Sequence, residues 1–317
     1  MSKGSVIIDG VDIDELGMFI LRGGDYDFLS MPARKEPEQE DWHEYDGVDT
    51  DLTEIYFNEK KITVGFHIRA LTGEEFLYNL NRFHRLISAP GYRQIYSREF
   101  GKTFLLRYIN CPAFAHKGGM YKPGTKRADI NVEFSMDDPL QLFTESGNMV
   151  PRNGQAGQTF VKINGRDLAD FGIIVNQCYN TVLRLPAVKS PLTRSIGNRT
   201  GLLVYPLSKT TFQTKQVVID CTMTAGSRDD FYYNYEALFN SLTLKEAVQL
   251  STFAADDESC YYSAMQDFRK LQPFSSRIMV QFSLVLTLTG PSLIEYLLST
   301  EDGYLVVTED GQYFIEI

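Results

Sequence analysis

Cysteine is scarce: four occur in 317 residues, Cys111, Cys178, Cys221 and Cys260, and no two form a C-x-x-C pair. That spacing excludes a disulfide scaffold and favours free buried thiols over a zinc site. Histidine is equally rare. His43, His67, His84 and His116 make no H-x-x-H or H-E-x-x-H pattern, so no zinc-protease spacing is present. Cations are in the minority, 31 Lys and Arg against 41 Asp and Glu, for a formal charge of −10. A broad basic footprint for nucleic acid is therefore excluded, though a local patch is not. No apolar run approaches the roughly 18 residues of a membrane helix. The opening Met1–Val6 lacks the apolar core of a secretory leader, which implies synthesis in the cytosol. No G-x-S-x-G, Walker A or G-x-G-x-x-G motif is found, and no cofactor is expected.

What the chain has instead is β-forming character and a repeat. Aromatics make up 13%, with 18 Tyr and 21 Phe but one Trp, a bias that suits sheet faces. Val6-Ile-Ile-Asp-Gly-Val-Asp-Ile-Asp-Glu-Leu-Gly17 matches Val161-Lys-Ile-Asn-Gly-Arg-Asp-Leu-Ala-Asp-Phe-Gly172 at an offset of 155. The same offset relates two period-two runs, Ile62, Val64, Phe66, Ile68, Ala70 and Val217, Ile219, Cys221, Met223, Ala225. Each reads as a strand with one buried face. Next come two helix starts, Thr72 with Glu75 and Ser227 with Asp230, a capping box and its shorter-armed version. The amphipathic stripes Phe76, Leu80, Phe83, Ile87 and Phe231, Tyr235, Leu238, Leu242 follow, again 155 apart. Gly10, Gly17, Gly165 and Gly172 are expected to fix backbone geometry, and Phe76, Leu80, Phe231 and Tyr235 to pack helix on sheet.

Beyond the helix, Ile130, Val132, Phe134 and Met136 align with Ile278, Val280, Phe282 and Leu284 at an offset of 148. On that alignment the second copy has lost a loop. Each copy thus reads as strand, irregular stretch, strand, helix, hairpin and long strand, with the first hairpin at Gln94–Phe100 and Thr103–Ile109. The expected class is α+β, mostly antiparallel β: two tandem β-sandwich domains, each flanked by one helix, plus a C-terminal β-hairpin or meander. The expected boundaries are 1–144, a glycine-rich linker at 145–159, 160–292, and a meander at 293–317. The last rests on the repeated Thr300-Glu-Asp-Gly303 and Thr308-Glu-Asp-Gly311, since Asp-Gly between apolar runs signals a tight hairpin.

Two charged segments stand out. Residues 36–51 carry eight acids around Trp42. Asp46, Asp49 and Asp51 do not have EF-hand spacing, so a solvated acidic loop is the reading over a calcium site. Residues 110–127 read as a loop holding His116, Lys117, Lys122, Lys126 and Arg127 without acids. Lys117, Lys122, Lys126 and Arg127 are expected subunit contacts, their charge setting register against an acidic neighbouring surface.

The motif Ile163-Asn164-Gly165-x-Asp167-Leu168-x-x-Phe171-Gly172-Ile173 resembles the start of bacteriophage distal tail proteins, and the Asp-Gly hairpins resemble those ending many phage structural proteins. The resemblance implies a tail-tube fold, rings around a central channel and no catalysis. A tandem of two such domains is closer to tail hubs, where three chains give a pseudo-six-fold ring. It therefore implies a virion protein of a phage or prophage tail, distal tail or baseplate hub. Its partners would be copies of itself in a hexameric or trimeric ring and other tube, hub or tip proteins. DNA would be met only in passage through the channel. The alternative is a carbohydrate-binding tail-tip module.

Overall fold

The computed structural model describes residues 6–119, 124–143, 149–152, 154, 157–191, 193–204, 210–244, 246–274 and 277–290. The C-terminal meander expected at 293–317 lies outside these residues, as does Lys122.

In the first half the elements are β1 (Val6–Ile8), β2 (Val11–Asp12), β3 (Met18–Ile20), β4 (Gln39–Glu40), β5 (Asp49–Thr50), β6 (Lys60–Ala70), α1 (Gly73–Ile87), β7 (Tyr92–Ser97), β8 (Lys102–Lys117) and β9 (Lys126–Met136). The second half has β10 (Lys162–Ile163), β11 (Arg166–Asp167), β12 (Ile173–Gln177), α2 (Tyr179–Val182), β13 (Thr193–Ser195), β14 (Leu202–Val204), β15 (Gln216–Ala225), α3 (Arg228–Leu242), β16 (Val248–Ser251), β17 (Glu258–Lys270) and β18 (Ile278–Leu288). Each half builds one seven-stranded sheet of the same order, β2-β1-β7-β8-β9-β6-β3 and β11-β10-β16-β17-β18-β15-β12. All recorded ladders in both are antiparallel, so the chain is α+β and mostly antiparallel β.

The shape of each sheet follows from its connectivity. Edge strands β2 and β3 are consecutive in sequence, separated only by the 3-10 turn Ile13–Leu16 and Gly17. Seven strands laid flat would be about 29 Å across. A four-residue 3-10 turn covers about 8 Å. The sheet must therefore roll until its two edges nearly meet, and the second half repeats this with Leu168–Phe171 and Gly172.

The glycines of the repeated motif divide into two kinds. Asp9 (φ 47°) with Gly10 (φ 82°), and Asn164 (φ 51°) with Gly165 (φ 75°), form tight turns with both residues in the left-handed region. A Cβ on Gly10 or Gly165 would meet nothing. Gly17 and Gly172 end the 3-10 turns at φ 63° and 78°, and there the neighbouring strand, β6 or β15, presses in. A Cβ on Gly172 would lie 2.5 Å from the Thr224 carbonyl oxygen, and one on Gly17 would overlap that of Arg69. Gly17→Ala is therefore expected to cost roughly 2–4 kcal/mol, from the positive φ plus the clash. Gly10→Ala should cost only about 1 kcal/mol from φ. Urea unfolding of the two variants measures the difference, and equal losses would defeat the account of close strand approach at Gly17.

The helix caps form as the sequence implies. Thr72 Oγ1 accepts from Glu75 N at 3.1 Å while the Glu75 carboxylate accepts from Leu71 N at 2.9 Å. Ser227 Oγ accepts from Asp230 N at 3.1 Å. Phe76, Phe231 and Tyr235 are buried, whereas Leu80 is only half-buried.

Two expectations need correction. Residues 110–117 are not loop: β8 runs on to Lys117, and Lys126 and Arg127 open β9. The offset at the last strand is 152, not 148. Val64 pairs with Val132 and Ile219 with Leu284, so Val132 corresponds to Leu284 and Ile130 to Phe282. A period-two pattern looks the same after a slip of four residues, so alternation alone could not fix this register. The net loss in the second copy is three residues, from an offset of 155 to one of 152.

Candidate assembly surface

The first half lays one connecting segment over a face of the second. Segment 25–34, between β3 and β4, crosses α3 and β17. Tyr235 Oη donates to the Leu29 carbonyl at 2.7 Å, and Tyr262 Oη donates to that of Pro32 at 3.0 Å. Met31 N approaches Met265 Sδ at 3.5 Å, and Arg34 N donates to the Ser263 carbonyl at 2.9 Å. Phe143 stacks on Phe239 with ring centroids 4.0 Å apart. Apolar atoms dominate the seam: Leu29, Met31, Tyr235, Tyr262 and Phe268 are all buried.

At one end of the seam is a charge cluster. Lys270 Nζ lies 2.6 Å from Asp25 Oδ2 and 2.7 Å from Glu99 Oε2, above the Phe100 ring. Burial pushes the Asp25 carboxyl above its ordinary range, although Lys270 pulls the other way. Nearby is an open cleft of about 800 Å³ between the halves. Lys102 lies over Tyr232 and Arg152 over Tyr233 along its wall. Arg228, Asp229 and Glu236 also line it, and Lys102 and Arg152 each have an aromatic face to rest on.

The acidic stretch 36–51 also belongs to the seam. Lys189, itself buried, reaches the Trp42 and Gly47 carbonyls at 2.8 and 2.6 Å and the Asp41 carboxylate at 2.5 Å. Asp46 accepts from Phe212 N at 2.8 Å, and Asp51 from Thr53 N at 2.9 Å. Asp46 and Asp51 thus hold backbone of different segments. Among the described residues, no group of three His, Cys, Asp or Glu side chains is placed to hold a metal.

Of the expected contact cations that are described, Lys117 and Arg127 are cross-strand partners on β8 and β9, and Lys126 stands apart from them. Lys117 pairs with Asp129, which also accepts from His67 Nδ1 at 2.6 Å. Those two partners hold the Asp129 carboxyl below its usual range. Lys126 is buried, and its Nζ donates to the Gly119 carbonyl at 2.9 Å. Arg127 is exposed on β9 opposite Arg69. Within the chain the acidic stretch meets Lys189, because the segment carrying it folds back across the second half.

Sequence reasoning missed two duplicated pairs of buried polar groups. Lys60 Nζ donates to the Phe28 and Ser30 carbonyls at 3.0 and 2.6 Å, and Lys215 Nζ donates to those of Val182 and Arg184. Each closes the short helical turn after the third strand of its half. Full burial lowers the Lys60 amine to about 7, and a neutral amine still has two N–H groups for its two carbonyls. Asn79 and Asn234 are buried on the helix faces, and Asn234 both accepts from Arg152 N and donates to Arg152 O, each at 2.7 Å. All four stand 155 apart in pairs, so the repeat offset was the signal that could have found them.

Among the described residues no helix is long and apolar enough to cross a membrane. No protein-family model and no curated protein matches the chain. Among solved structures it is similar to the Dit (gp 19.1) protein of SPP1, described as a paradigm of hub adsorption apparatus in phages infecting Gram-positive bacteria. The similarity covers 89% of this chain and 97% of that one, at 12% identity and a TM-score of 0.31.

Proposed function

We propose that this chain is a non-enzymatic structural subunit of a phage or prophage tail, at its distal end or hub. Copies of it form a ring, hexameric or trimeric with pseudo-six-fold order, that continues the tail channel and anchors tip proteins. The observation that carries the reading is the head-to-tail seam. Two like units are joined by different faces, and such contacts generate rings when the rotation between units closes. The likeness of the Ile163–Ile173 motif to distal tail proteins points the same way. Negative-stain electron microscopy of the purified chain, with immunogold labelling of tails from a producing host, tests it. Rings with label at the tail's distal end are expected; a monomer, or tails without label, would overturn it. Trp42 and Tyr45, both exposed on the first arm, favour the carbohydrate-binding alternative, which requires glycan binding by a solitary chain.

A further inference from the structure

The seam inside one chain uses a short motif that occurs twice. Leu29-Ser-Met-Pro-Ala-Arg-Lys35 aligns with Leu183-Arg-Leu-Pro-Ala-Val-Lys189 at an offset of 154. The backbone agrees: Arg34 bridges Phe57 where Val188 bridges Phe212, and the Lys60 and Lys215 amines hold the equivalent carbonyls. The environments differ sharply. Leu29 and Met31 are 0% and 3% exposed, pressed on the second half, whereas Leu183 and Leu185 are 51% and 68% exposed.

The face that receives the motif shows the converse. Tyr262, Met265 and Phe268 of β17, buried beside segment 25–34, correspond to Tyr108, Cys111 and Phe114 of β8. Tyr108 and Cys111 are half-buried, and Phe114 is 45% exposed. On the helices, Tyr235 is buried at the seam while its counterpart Leu80 is half-buried. One chain therefore carries a bare apolar motif and a bare apolar face whose homologues already fit each other. Tyr and Phe are retained in the face, and Pro-Ala in the motif.

We infer that the occupant of each is a second copy of this chain: Leu183–Ala187 of one subunit docks on β8 and α1 of the next, repeating the internal seam between chains. The geometry is heterologous, so every subunit gives the motif on one side and receives it on the other. Continuity with the internal seam fixes the partners. Tyr108 Oη would donate to the Pro186 carbonyl of the neighbour, as Tyr262 does to Pro32. Leu185 would lie against Cys111 of the neighbour, as Met31 lies against Met265. Leu202, Leu203 and Val204 of β14 are also exposed. The inference deepens the proposed ring and rests on it.

The test uses full-length protein and two exposed-site variants, Leu185→Asp and Phe114→Asp. Mass photometry should show oligomers for wild type and monomers for each variant alone, with unchanged far-UV circular dichroism. An equimolar mixture should give one-to-one dimers and nothing larger, because a single intact contact remains. Separately, Leu185→Cys treated with diamide, which takes up the two thiol hydrogens, should give a covalent ladder on non-reducing gels. Adding Cys111→Ser should abolish the ladder. If wild type assembles but the variants do so equally well, or the ladder persists without Cys111, this contact is wrong and the ring survives. A wild type that stays monomeric at all concentrations overturns both.

Discussion

Replacing Lys270 by Met is expected to cost about 3–5 kcal/mol of stability in urea unfolding, because it strips the cation from a buried carboxylate. Asp25 is 4% exposed, and its Oδ1 has no hydrogen-bond partner among the described residues, so the charge depends on Oδ2 and Lys270. Glu99 is less vulnerable, since it is more exposed and its Oε1 also accepts from Phe274 N at 3.1 Å. The pH dependence has a definite sign. Asp25 is held above its ordinary value of 3.8, so the folded state binds its proton more tightly than the unfolded one. Stability therefore falls as pH rises from that ordinary value through the raised one. Removing Lys270 removes the attraction that limits the shift and moves it further up. The variant's deficit should thus be small near about pH 4 and grow toward about pH 7. Adding Asp25→Asn to Lys270→Met should recover most of the loss at neutral pH. A deficit that is flat with pH, or a double variant no better than the single, would show that Lys270 acts through packing alone.

The sequence showed the duplicated plan more clearly than the way its two copies meet. Strands β6 and β15 could be read because each has one buried face, and their period of two survives in Ile62 to Ala70 and Val217 to Ala225. The caps at Thr72 and Ser227 are local chemistry and needed no tertiary information. Strand β8 was harder. From Tyr108 to Lys117 it is largely exposed and twice bulged, so it has no alternation to detect and its cations looked like a loop. The seam residues failed to announce themselves for a different reason. Met31 and Lys189 are buried by segments 140 or more residues away, and only the fold brings them together. Helix α3 shows the consequence. It buries Ala237 and Phe239 in addition to its stripe because the first half covers its outer side, which α1 lacks.

Tyr235 and Leu80 occupy the same place in the two helices, and the same truncation should affect them very differently. Tyr235→Ala is expected to cost about 3–5 kcal/mol, the range for emptying a buried aromatic site. Its ring stacks on Phe231 at 5.3 Å, and its hydroxyl satisfies the Leu29 carbonyl across the seam. Tyr235→Phe should keep most of that packing and lose about 1–2 kcal/mol, because the Leu29 carbonyl would be left without its donor. Leu80→Ala should cost less, about 1–2 kcal/mol in the isolated chain, since part of its surface already faces water. Chemical unfolding of the three variants at low protein concentration measures these losses. The difference between the two alanine variants then reports how much the covering half contributes at this position. It also separates fold from assembly: once a neighbour covers α1, Leu80→Ala should weaken association more than it weakens the monomer. Equal losses for Tyr235→Ala and Leu80→Ala in the monomer would mean that the seam adds nothing to the helix it covers, and a repeat of that seam between chains would then have no energetic basis.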